Sequence, residues 1–209
     1  MKRHPEAGLQ KEEAHYYAHG KHHIFFPAVS TLGYQLITIL LCNFVCISFA
    51  GFMGSASGLV VVEVILLLIY FGIVYSSLWN QGREDNNLAH FGHIALDRWR
   101  GIKIGLLANI PFLLMGLLLV LSRFGLFWNF VLIYKIANAA FWPLINLFES
   151  TLDVMDFAVW QVIVIALLPL LTAVVSQIGY LLGIKDFSIM QKLIYRNKKE
   201  GDISKAKSK

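Results

Sequence analysis

Charge is scarce in this chain. Charged residues make up 15% of its 209 residues against 57% hydrophobic ones, and the mean hydropathy is +0.61. A soluble domain carries about a quarter of its residues as charges, so the composition excludes that class. Sustained alternation of apolar and polar residues is missing as well. Its absence excludes a transmembrane β-barrel and leaves helices as the way to satisfy the backbone in lipid. There are two cysteines, Cys42 and Cys46. They lie four apart, where one helix cannot bridge them without distortion, and they read as small packing residues. No phosphate-binding loop, activated nucleophile or carboxylate pair occurs, so no cofactor is expected and a non-catalytic protein is favoured.

What is present is apolar length. Residues 28–53, 59–81, 104–122 and 157–184 each suffice to cross a hydrocarbon core, which takes roughly 20 helical residues. The expected fold is an all-α integral membrane protein with four transmembrane helices. An amphipathic loop helix on the inner surface and an interfacial or re-entrant helix on the outer face complete it. A polar N-terminal segment (1–27) precedes the transmembrane domain (28–184), and a basic tail (185–209) follows. The leading segment is too long and too polar for a secretory signal, so no cleavage is expected.

Basic residues give the orientation. Sixteen lysines and arginines fall in the N-terminal segment, the central loop and the tail, against two, Arg123 and Lys135, on the other side. The bias puts both termini and the central loop in the cytoplasm of a cell membrane, or of an internal membrane such as the endoplasmic reticulum in a eukaryote. The net charge of +5 then serves anionic lipid headgroups at the inner face rather than nucleic acid.

Several polar groups stand out. His15, His19, His22 and His23 precede the first span at spacings that could share a metal only if one helix continued through Gly20. In the first span Thr31, Gln35, Thr38, Cys42 and Cys46 share one helical face. In the third, Gly105, Asn109 and Gly116 do so, and in the fourth Thr172, Ser176, Gly179 and Gly183. Such stripes mark helix contacts, or else the wall of a solute path. Gly179 and Gly183 allow close approach of another helix. Glu63 is the acid well inside a span, and near the outer end of its helix it is expected to snorkel to the interface, with a proton or cation site as the alternative. Pro111 and Pro169 should kink their helices.

The central loop reads "GREDNNLAHFGHIALDRWRG" from Gly82 to Gly101. Gly82 suits a helix cap, and a new amphipathic helix is expected over 86–100. Leu88, Phe91, Ala95, Leu96 and Trp99 would form its apolar side. His90, His93, Asp97 and Arg100 would form a polar row able to pair, to bind a phosphate-like ligand, or to offer His90, His93 and Asp97 to a metal. Residues 124–150 tempt a fifth crossing. Lys135 and the position of the basic tail argue instead for an element that roofs the bundle, with Lys135, Asn138, Asn146 and Glu149 on one side.

These features fit a multi-pass subunit or regulator of a membrane transport or other membrane complex, working with copies of itself or with other membrane subunits. A self-assembling solute or ion transporter is the second reading, and a membrane-embedded metal-dependent enzyme the third.

Overall fold

The computed structural model describes residues 24–185. Four helical segments within them are long and apolar enough to cross a membrane. We label the helices α1 (Phe25–Ser48), α2 (Ala56–His90), α3 (Arg100–Arg123), α4 (Val131–Ala137), α5 (Trp142–Phe148), α6 (Val159–Leu167) and α7 (Leu170–Ile184). No strand occurs among the described residues. α1, α2, α3 and the α6–α7 span alternate in direction along the chain and pack side by side, with α7 against both α2 and α3.

The inside of the bundle and its lipid face separate on every helix. On α1, Thr31, Gln35, Thr38, Cys42 and Cys46 are buried, while Ile37, Leu40, Phe44 and Ile47 are about 70% exposed. Large apolar side chains so exposed on a single continuous belt belong in hydrocarbon.

The helix ends depart from the sequence-based boundaries. Ser55 caps α2 by accepting the Gly58 N–H at 3.1 Å. α2 then runs for 35 residues, through Gly82, to His90. It stops where Gly92 takes a φ of 75° and His93 N–H reaches back to the Leu88 carbonyl, a left-handed cap that only a residue without a Cβ adopts easily. The amphipathic helix expected over 86–100 is therefore not a separate element. Its first third extends α2, and residues 91–99 form a turn leading into α3. Gly82 is a packing residue, since a Cβ there would collide with the Tyr180 carbonyl of α7.

Of the two prolines expected to kink, Pro111 sits inside an unbroken α3, whereas Pro169 divides the last span into α6 and α7. In the segment after α3, α4 and the stretch Ala139–Phe148 are bent by 98° into a broken hairpin that packs against α1, α2 and α3. Phe141 at its turn stacks edge-on against Tyr70 and Phe71, with ring centroids 5.9 and 6.1 Å away.

Candidate functional site at the broken hairpin

The polar row anticipated in the central loop is split by the fold. His90 and His93 are exposed beside Phe91, and with the helix ending between them they no longer share a face with Asp97. Asp97 pairs with Lys103 at 2.7 Å and accepts the Trp99 N–H at 2.9 Å. The Lys103 ammonium, then that N–H, hold its carboxyl below the usual aspartate range. Among the described residues no three His, Cys, Asp or Glu side chains converge to hold a metal ion, so the His90, His93 and Asp97 centre is not formed. The N-terminal histidines lie outside the described residues.

Arg100 turns inward instead. Its guanidinium lies 3.2 Å from Asp85, whose carboxylate also accepts the Tyr180 hydroxyl at 2.8 Å and the Gln81 amide at 3.0 Å. Asp85 is fully buried, and the pair ties α2, α3 and α7 together. Gln177 completes the latch, accepting from Ile102 N–H and donating to the Arg98 carbonyl, so one of the open N–H groups at the start of α3 is satisfied from α7. Sequence reasoning missed this cluster. Its signal was the buried stripe Leu66, Tyr70, Val74, Leu78, Gly82 and Asp85, which continues past the expected end of the span.

The small residues of α7 lie where backbones meet. A Cβ at Gly179 would stand 2.7 Å from the Tyr75 carbonyl oxygen, and one at Gly183 would collide with that of Trp79. Thr172 Oγ1 is 3.4 Å from the Tyr70 hydroxyl, and Ser176 fills the space left by Gly105.

The opposite end is built around Glu63. It does not snorkel: it is 6% exposed and its Oε2 accepts the Leu144 N–H of the hairpin at 3.0 Å. Breaking a helix inside an apolar bundle frees backbone groups that hydrocarbon cannot satisfy, so such a break persists only where protein supplies partners. Here Asn43 donates to the Ile136 carbonyl at 2.9 Å, Cys46 Sγ lies 3.8 Å from the Ala139 carbonyl, and Glu63 takes the Leu144 N–H. Tyr134 anchors the other arm by donating to the Ile165 carbonyl at 2.7 Å.

Lys135 and Asn138, expected on a wetted side, are buried. Lys135 Nζ donates to the Thr151 carbonyl at 3.0 Å and lies 5.9 Å from the Phe157 ring, so its charge is relieved inside the protein. Asn146 and Glu149 are half-buried.

Buried side-chain atoms that retain no hydrogen-bond partner among the described residues include Glu63 Oε1, both amide atoms of Gln35, Tyr75 Oη, Asn109 Oδ1, Asn146 Oδ1 and Ser176 Oγ. Buried polar atoms are paired as a rule, so these atoms set this interior apart from an apolar core. No protein-family model matches the sequence, and no curated protein and no solved structure is similar to it.

Proposed function

We propose that the chain is a non-catalytic membrane component of a transport system, with the contact between Glu63 and the broken hairpin as its ion-responsive element. One observation carries the reading: a buried carboxylate whose one oxygen holds the backbone of a re-entrant hairpin while the other has no partner. Discontinuous helices meeting an intramembrane acid are how transporters build proton and cation sites. The inward Gln35, Asn109 and Ser176 supply polar atoms to the same bundle. In this reading the end carrying Phe25, Arg100 and Lys185 is cytoplasmic and meets anionic headgroups.

The test is proton flux. The assembly isolated in gentle detergent, its composition fixed by native mass spectrometry, is reconstituted with an internal pH dye and driven by a potassium diffusion potential. Flux should fall sharply in Glu63→Gln. Flux unaltered by that change would sink the reading. Cysteines placed at Leu126 and Phe91, in a background lacking Cys42 and Cys46, should label from outside and inside respectively.

A second reading, a regulator that docks a partner at the cytoplasmic turn, is favoured by Phe91 and Trp99, 73% and 66% exposed. Replacing both with Asp should release either a partner or the membrane interface. An unchanged subunit composition and unchanged protease sensitivity of the turn would remove it.

A further inference from the structure

We infer that Glu63 is a proton-binding site of the membrane interior, its Oε1 carrying the proton while its Oε2 keeps the hairpin through Leu144 N–H. The inference deepens the transport reading, resting on it for its purpose and on the surroundings of Glu63 for its chemistry.

The two oxygens are in different situations. Oε2 accepts a backbone N–H at 3.0 Å, a bond that the carbonyl oxygen of a neutral acid can keep. Oε1 is buried without a partner. An ionised carboxylate in that position would leave half its charge unsolvated, which is far more costly than burying a neutral hydroxyl.

The surroundings also separate a proton from a metal cation. Hard cations gather several oxygen ligands. The hairpin meets Glu63 through a donor, the Leu144 N–H, and the titratable groups that face it from α1 are the thiols of Cys42 and Cys46. On its own helix Tyr70 lies two turns further in, with its hydroxyl on Thr172. The cation of the hairpin, Lys135, is held by the Thr151 carbonyl, and its electrostatic partner is Glu149. One free carboxyl oxygen beside a bound N–H suits a proton. Because Leu144 is held by the same carboxyl, loss of the proton changes the charge that the hairpin feels.

Infrared spectroscopy of the full chain in lipid reads this without any transported solute. At neutral pH the carbonyl stretch of a protonated carboxyl should be present. It should shift in heavy water, vanish in Glu63→Gln, and fade as the pH is raised. Glu63→Asp, which keeps the acid, should retain a displaced band and guards against a loss that merely reflects unfolding. Absence of the band in the unmutated chain, or its persistence in Glu63→Gln, overturns the inference. So does its loss on adding sodium or potassium chloride at fixed pH, which would assign the site to a metal cation. A Glu63 band accompanied by no proton flux leaves the site standing and removes the transport reading.

Discussion

The two ends of the bundle handle buried charge in opposite ways. At the end where α3 begins, Asp85 is met by a guanidinium, a phenol and an amide from three helices, and glycines at 82, 101 and 183 bring the backbones close enough for those groups to reach it. At the other end, Glu63 and Lys135 are each held by one hydrogen bond to the backbone, and Glu63 keeps a spare oxygen. Polar clusters tied by several bonds from different helices fix one arrangement, whereas a group held by one bond can change its state without dismantling the fold. The first end is a lock and the second can respond.

The largest expected effect comes from opening the lock. Arg100→Ala removes the guanidinium 3.2 Å from the buried Asp85 and should cost about 3–5 kcal/mol, read as a large drop in thermal stability in detergent. The double change Asp85→Leu with Arg100→Leu should recover much of it. A single variant as stable as the parent would show that the pair is not holding the helices.

Next is Gly183→Ile, which drives a branched side chain into the Trp79 carbonyl. A loss of about 1–3 kcal/mol is expected, against a few tenths for Leu181→Ile on the same helix. Equal, negligible effects would refute the contact.

Glu63→Gln should be smaller in stability, within about 1 kcal/mol, because the amide oxygen can still accept Leu144 N–H and the amide nitrogen bears no charge. If it destabilises as much as Arg100→Ala, both ends are structural and the contrast collapses.

The smallest effect is at Asp97, half-buried in the turn. Its folded pKa lies below the ordinary 3.8, so its contribution is fully present above that value and disappears as the pH falls through the lower folded value. A change in Trp99 fluorescence should follow that acid titration and be absent in Asp97→Asn. The same titration in both proteins would place the change elsewhere.

The spans were legible because uninterrupted apolar length has one meaning in a chain of this composition. Their ends were not, because a helix continues into water when a neighbour gives its polar residues partners. Asp85 is such a residue, and its partners Arg100 and Tyr180 lie 15 and 95 positions away in sequence. The bent segment was anticipated as an outer element, but its packing against α1 and α2 was hidden. Lys135 argues for solvent until the Thr151 carbonyl is seen beneath it. Glu63 was singled out for its place in the span, yet nothing local showed that it meets a backbone N–H 81 residues onward.

The unbroken length of α2 joins the two ends mechanically. Its 35 residues make a rod about 50 Å long, well beyond an apolar core of about 30 Å. Glu63 stands near one tip and Phe91 just past the other, about 40 Å apart. One continuous helix therefore carries both the carboxylate that meets the hairpin and, beyond the Asp85 cluster that fixes its far half to α3 and α7, the aromatic surface of the turn.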